Sequence, residues 1–189
     1  MGRLRVMECE LEGLKVIESN VVSDKRGSYS EMYNYNDFRK IGINIKFVQD
    51  NLYCSTKGVL KAPSFQINFP QVRLIRVLRG EIFAVAVDVR KNSSTFGEWY
   101  SIMLSRQNMK QFYVPEGFAC GFMVVSDEAE VLYKCSDFCH QDDECGIVWN
   151  DPEIGIEWPV NRSVGVNISE RDMNWKSIKE VFKKSKVYC

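Results

Sequence analysis

The residue whose type and setting best suit proton chemistry is Cys120, in Gln111-Phe-Tyr-Val-Pro-Glu-Gly-Phe-Ala-Cys-Gly-Phe-Met-Val-Val125. This stretch reads as strand, a Pro115-Glu116-Gly117 turn, then strand. Strand alternation puts Phe118, Cys120, Phe122 and Val124 on one face, and Ala119, Gly121, Met123 and Val125 on the other. A thiol framed by two aromatic rings is either core packing or a reactive group at the bottom of a pocket, and the sequence leaves both open. The other chemistry-bearing residues are cations in or beside strand segments: Arg26, Lys61, Arg73, Arg76 and Arg90, with Gln49, Asn51 and Gln66 nearby in sequence. Such cations form solvated faces or salt-bridged rims. Several pointing into one barrel mouth would instead bind an anion, because a guanidinium meets phosphate with two parallel hydrogen bonds.

Other chemistries find little support. There is no G-x-G-x-x-G, no G-x-x-x-x-G-K-[ST] and no nucleophilic-serine elbow. His140 is the single histidine. The run Cys135-x3-Cys139-His140-x4-Cys145 has soft ligands, yet its spacing matches no standard zinc pattern, and Asp142, Asp143 and Glu144 read as a solvated loop. No metal and no cofactor are expected. Lys plus Arg equals Asp plus Glu at 25 each, which argues against a nucleic-acid surface. No apolar run approaches the ~20 residues that cross a bilayer, and the first residues carry mixed charge rather than a secretory signal, so no membrane association and a cytoplasmic setting are expected. Seven irregularly spaced cysteines fit reduced thiols.

The elements that must position these residues are short. A strand is expected within 1–20, a turn ending in Gly27, a strand over Tyr29–Tyr33 with Tyr29, Glu31 and Tyr33 on one side, and a helical turn over Asn36–Ile41 capped by Asn36 or Asp37. Strands follow at 47–51, 58–61, 64–68 and 72–78. Arg79-Gly80 reads as a hairpin into Glu81–Val89, with Phe83, Val85, Val87 and Val89 on one face. Ser93–Gly97 turns into a strand at 98–104, and a last strand spans Ala129–Cys135. In the tail, Ser169-Glu-Arg-Asp172 has a capping-box form, and Trp175, Ile178 and Phe182 fall at helical spacing. Many short strands at regular intervals indicate an all-β sandwich or barrel, here one domain over residues 1–189 with a small C-terminal helical segment.

Phe47-Val-Gln-Asp-Asn51, Lys57-Gly-Val-Leu60, Arg76-Val-Leu-Arg-Gly-Glu-Ile-Phe83, Val87-Asp-Val-Arg90, Ser94-Thr-Phe-Gly97, Val114-Pro-Glu-Gly-Phe118, Ser126-Asp-Glu-Ala-Glu130, Tyr133-Lys-Cys135 and Asn150-Asp-Pro-Glu-Ile-Gly-Ile-Glu-Trp-Pro159 together resemble the dTDP-4-dehydrorhamnose 3,5-epimerase family. The likeness runs from Asp24-Lys-Arg-Gly27 to Ser169-Glu-Arg-Asp172. It implies a cupin-type jelly-roll β-barrel, a homodimer, and cofactor-independent epimerisation of a nucleotide-diphosphate 4-keto-6-deoxyhexose, in biosynthesis of a deoxysugar for a surface polysaccharide. The C4 ketone acidifies the neighbouring C–H, so a base, an acid on the opposite face and an enolate stabiliser are needed.

By position, the resemblance places Arg26 and Lys61 on the phosphates. Tyr29, Glu31, Gln49, Asn51 and Gln66 are placed in the substrate pocket. Arg73 stands where the family has the lysine that stabilises the enolate, Tyr133 on the tyrosine acid, and Asp172 on the aspartate that pairs with the catalytic histidine. Two departures stand out. Where the family reads Arg-Gly-Leu-His-Tyr-Gln the chain reads Lys61-Ala-Pro-Ser-Phe-Gln66, so Ser64 holds the histidine position, and Cys120 replaces a second histidine. A serine hydroxyl is a poor base unaided. A cysteine thiol titrates near about 8.5 and lower beside cations, so Cys120, or a water held by Ser64, is the expected base. The family reading therefore becomes inversion at C3 alone, with a 3,4-ketoisomerase or an inactive sugar-nucleotide binder as alternatives.

Overall fold

Runs of β-branched and aromatic residues punctuated by glycine, proline and asparagine build a strand-dominated fold. The structure is a computed structural model that describes residues 4–161 and 163–184. Its strands are β1 (Arg5–Glu8), β2 (Lys15–Glu18), β3 (Val22–Asp24), β4 (Gly27–Tyr29), β5 (Gln49–Thr56), β6 (Leu60–Gln66), β7 (Arg73–Arg79), β8 (Glu81–Asp88), β9 (Trp99–Ser105), β10 (Lys110–Val114), β11 (Phe118–Val124), β12 (Glu128–Cys135) and β13 (Glu144–Gly146). Among the described residues three short α-helices accompany them, α1 (Tyr35–Lys40), α2 (Glu170–Met173) and α3 (Ile178–Lys184), with one turn of 3-10 helix at Gln141–Asp143. One sheet has the order β1-β2-β10-β7-β12-β5, the facing sheet β13-β6-β11-β8-β9, and β3-β4 is a separate hairpin.

The space between the sheets is filled by Leu14, Val16, Ile75, Val77, Ile82, Phe112, Phe118, Phe122 and their neighbours, with Cys120 among them. A second cluster (Leu60, Ala62, Val85, Val87, Ala119, Met123, Ile147, Trp158, Ile178) covers the far side of the five-stranded sheet. A third (Ile17, Phe38, Ile43, Leu74, Tyr113) packs α1 on the outer face of the other sheet. Strands β8 and β11 are therefore buried on both faces, which is why β11 and the interior of β8 (Ile82–Val87) stay apolar. Full burial of each large apolar side chain contributes about 1.5–3 kcal/mol.

The two-faced reading of 118–124 holds, as does the Arg79-Gly80 hairpin. Gly80 has φ +74°, and a Cβ there would come 1.9 Å from the Glu128 carbonyl oxygen. Other expectations are corrected. Residues 5–18 form a two-strand hairpin rather than one strand. The strand expected over Tyr29–Tyr33 ends at Tyr29, and the α1 cap is Asn34, whose side chain accepts from Asn36 N–H at 3.0 Å. Strands expected at 58–61 and 64–68 are the single strand β6. The tail is two helices: Ser169 caps α2, and Trp175 falls in the break before α3. The six cysteines of the described residues are free thiols. Met1–Arg3 and Cys189 lie outside the described residues. Among the described residues no helix is long and apolar enough to cross a membrane.

Candidate active site

Lys61 and Ser64 are three apart in sequence, a spacing that in a regular strand puts them on opposite faces. Across the β6–β11 ladder Ser64 pairs with Cys120, but Lys61 pairs with Phe122, so three steps of β6 match two of β11. The extra residue makes a β-bulge at Ala62-Pro63, and it turns Lys61 and Ser64 onto the face that carries Cys120 and Phe122. Asp172, at the C-terminal end of the chain, accepts the Ala62 N–H at 2.9 Å. Gly121 lets the bulge close, since a Cβ there would lie 2.4 Å from Lys61 O and 2.8 Å from Pro63 N.

Arg73 enters from β7 of the facing sheet. Its Nη1 donates to Cys120 Sγ at 2.9 Å and to the Ser64 carbonyl at 3.0 Å. Burial opposes its charge, but Cys120, Cys135 and Tyr133 outweigh that and hold the guanidinium protonated. Lys61, Arg73, Ile75, Cys120, Gly121, Phe122 and Tyr133 line one cavity of about 20 Å³. That is room for a single water, the floor of a site rather than all of it. Burial pushes the Tyr133 phenol up to about 12, against the pull of Arg73, so it is a neutral proton donor. Burial pushes the Lys61 ammonium down, with Asp172 working the other way. A thiol, a cation beside its sulfur and a protonated phenol thus share one small enclosed space.

One residue of this neighbourhood escaped the sequence reading. Glu144 Oε1 accepts from Ser64 Oγ at 2.9 Å and faces Lys61 Nζ at 3.6 Å, while Oε2 pairs with Arg171. Its side chain is only 11% exposed, which corrects the solvated-loop reading. Asp143 is likewise engaged, accepting the Asn68 and Phe69 N–H groups at 2.9 and 3.0 Å. The available signal was position: Glu144 immediately precedes the less polar run Cys145-Gly146-Ile147-Val148.

Several expected residues are not gathered here. Arg26 is exposed and pairs with its neighbour Asp24, and Tyr29 is 67% exposed beside a cavity it shares with Arg76, on the outer face of the six-stranded sheet. Glu31 accepts from Asn34 at 3.2 Å. Gln49 bonds Asn51 and the Cys139 N–H, while Asn51 reaches Cys135 Sγ at 3.6 Å. The Gln66 amide is taken up by Phe69 O, Phe138 O and the His140 N–H. Arg90 pairs with Asp88. The His140 ring stacks on Phe69 at 4.0 Å, and among the described residues no three His, Cys, Asp or Glu side chains converge to hold a metal. A cavity of about 1290 Å³ lies elsewhere, lined by Phe65, Trp175, Phe182 and others; of the expected residues it touches Gln66 and Arg90. Chemistry rather than volume makes the Cys120 floor the candidate site.

Residues 8–180 match the family described as dTDP-4-dehydrorhamnose 3,5-epimerase. The chain belongs to this family. The dTDP-4-dehydrorhamnose 3,5-epimerase of Methanothermobacter thermautotrophicus is 47% identical over 180 residues, covering 95% of this chain and 97% of that protein. The Legionella pneumophila dTDP-6-deoxy-D-glucose-3,5-epimerase, solved with dTDP-4-keto-L-rhamnose, superposes with TM-score 0.91 at 38% identity over 94% of each chain. A 3'-monoepimerase from Streptomyces bikiniensis, in complex with dTDP-quinovose, gives TM-score 0.86 at 27% identity, covering 93% of this chain and 88% of that one. The dTDP-4-dehydrorhamnose 3,5-epimerase family is one of isomerases on the cupin jelly roll, and the two facing sheets are that fold.

Proposed function

We propose that the protein inverts C3 of a dTDP-linked 4-keto-6-deoxyhexose, with Cys120 as base and Tyr133 as acid. The observation that carries this reading is the Arg73 Nη1 contact with Cys120 Sγ at 2.9 Å, in a cavity that Tyr133 enters from the opposite sheet. A thiolate base needs a cation against it, and Arg73 is in place. The Cys120 thiolate takes the C3 proton. The C–H electron pair moves into the enolate, whose oxygen faces the Arg73 guanidinium, and the Tyr133 hydroxyl delivers its proton to the other face of C3. Cys120 and Tyr133 come from facing sheets, so a sugar ring between them presents one face to each.

Restriction to C3 is supported by serine at position 64, where the resemblance has a histidine, and by the fold's use in a 3'-monoepimerase. The dTDP assignment comes from what the related structures bind. A homodimer belongs to the same reading: Arg26 and Tyr29 are exposed on their own chain, away from the Cys120 cavity, and a second copy would bring them to it. Exposed Val22, Val48 and Leu52 supply apolar surface for that contact. A cytoplasmic setting and supply of a surface polysaccharide rest on the family resemblance.

Incubation of dTDP-4-keto-6-deoxyglucose with the protein in deuterium oxide tests the reading. Label at C3 alone is the expected result. Label at C3 and C5 overturns the single-centre limit, a shifted keto group indicates a ketoisomerase, and binding without exchange marks an inactive homologue.

A further inference from the structure

Arg76 is a cation that the epimerase chemistry does not use. It stands three residues beyond Arg73 on β7, a spacing that turns it to the outer face of the six-stranded sheet, away from Cys120. Its Nε is buried and has no hydrogen-bond partner among the described residues. Burial works against its charge, and the carboxylate that offsets this, Asp50, is already taken by Lys134 at 2.9 Å from each oxygen. A guanidinium partly withdrawn from water without a counter-ion of its own is costly to keep.

Two further cations face the same cavity of about 310 Å³: Arg106 and Lys110, at the two ends of the turn between β9 and β10. The turn is rigid. Asn108 Oδ1 accepts the Ser105 and Lys110 N–H groups at 3.1 Å each, and Met109 is held at φ 51°, a left-handed conformation that side chains resist. Arg106 has no side-chain partner among the described residues, and Lys110 has only a long pair with Glu18 at 3.7 Å. Ser28, Tyr29 and Ser30 add hydroxyls to the wall, and no Asp or Glu lines it.

We propose that Arg76, Arg106 and Lys110 form a second anion site, which takes the phosphoryl group of a small phosphorylated molecule on the opposite side of the six-stranded sheet from the Cys120 cavity. Each guanidinium meets phosphoryl oxygens with parallel N–H donors, the lysine supplies a point charge, and the hydroxyls donate to the oxygens left over. The cavity is larger than a phosphate ion, so a diphosphate or a phosphate ester fits it. The rival occupant is a carboxylate of the second copy in the proposed homodimer.

This inference stands apart from the epimerase reading, because its readout needs no turnover. Inorganic pyrophosphate is titrated calorimetrically into the unsubstituted protein, Arg76→Met and Arg106→Ala. A binding event weakened by about tenfold or more in each variant is the expected result. Deuterium incorporation at C3 is expected to stay within about twofold in Arg106→Ala, since this site is separate from the reacting one. Equal pyrophosphate affinity in all three proteins overturns the proposal. A loss of C3 exchange that matches the loss of pyrophosphate binding would assign Arg106 to the Cys120 site, and overturns it too. Loss of dimer by sedimentation with pyrophosphate binding unchanged would give the cations to the second copy instead, and likewise overturns it. Should Arg76→Met fail to fold by thermal melt, Arg106→Ala and Lys110→Met read the same site from the two ends of the turn.

Discussion

Arg73 donates from a single nitrogen to the Cys120 sulfur at 2.9 Å and to the Ser64 carbonyl at 3.0 Å. The guanidinium therefore ties the candidate base to the strand that carries the bulge, and links the two sheets across the site. Cys120→Ala is expected to lower deuterium incorporation at C3 by at least about 100-fold, the scale of a lost general base. Undiminished exchange in that variant eliminates Cys120 as the base.

Tyr133→Phe separates proton removal from proton delivery. With the acid absent, Cys120 still takes a proton from C3 and returns a deuteron to the same face. Exchange with retained configuration is expected, and epimerised product falls by about 100-fold or more. Because burial pushes the phenol up to about 12, the acid stays protonated across the neutral range. A loss of activity on raising the pH from 7 to 9 is therefore not assigned to Tyr133, and a pH–rate profile checks this.

Stability should fall at alkaline pH. Burial raises Tyr133 from 10.0 to about 12 and Cys135 from 9.0 to about 11. Both are raised on folding, so the unfolded chain loses these protons first. The stabilisation is complete below about pH 9 and disappears as the pH climbs through 11 to 12. Each group accounts for roughly 2–3 kcal/mol. Urea midpoints at pH 7.5, 10 and 11 read the slope, and Cys135→Ala should flatten it.

Asp88 gives the opposite dependence. It is fully buried, and accepts from Arg90 at 2.9 and 2.7 Å, Ser93 Oγ at 2.6 Å and Thr95 Oγ1 at 2.7 Å. Burial alone would raise its carboxyl, but these donors hold it at about 2. Its contribution is present above about pH 4 and lost as the pH falls through about 2. Asp88→Ala should cost about 3 kcal/mol, since it removes the acceptor shared by Ser93 and Thr95 and leaves Arg90 without its carboxylate over the Phe118 ring. Thermal melts at pH 7 measure this.

Gly121→Ala should damage both fold and site. The added Cβ would lie 2.4 Å from Lys61 O, 2.8 Å from Pro63 N and 2.9 Å from Ala62 C, all of them backbone atoms that cannot swing aside. Relief requires β6 to move off β11, at about 1–3 kcal/mol, with Lys61 and Ser64 displaced from Cys120. A lowered melting temperature together with lost exchange is the expected pair of results.

The all-β class, the hairpin at Gly80 and the two faces of β11 were legible in the sequence because they depend on local rules: alternation every second residue and glycine where a side chain cannot fit. Cys120 and Arg73 were likewise legible as chemistry-bearing residues, Tyr133 only through the family resemblance, and the structure brings all three into one cavity. What tertiary structure alone decided is the partnership around Ser64. A bulge inverts the facing of Lys61 relative to Ser64, and its presence depends on how β6 registers against β11, a strand 55 residues or so away. Glu144 looked like one of three loop acids until β13 paired with β6 and turned its carboxylate inward. Asp172 belonged by spacing to a helix cap, yet its carboxylate crosses 110 positions of sequence to hold Ala62 N–H. Period and residue type act between near neighbours along the chain. Strand register and long-range hydrogen bonds are set by packing between distant segments, and no local pattern records them.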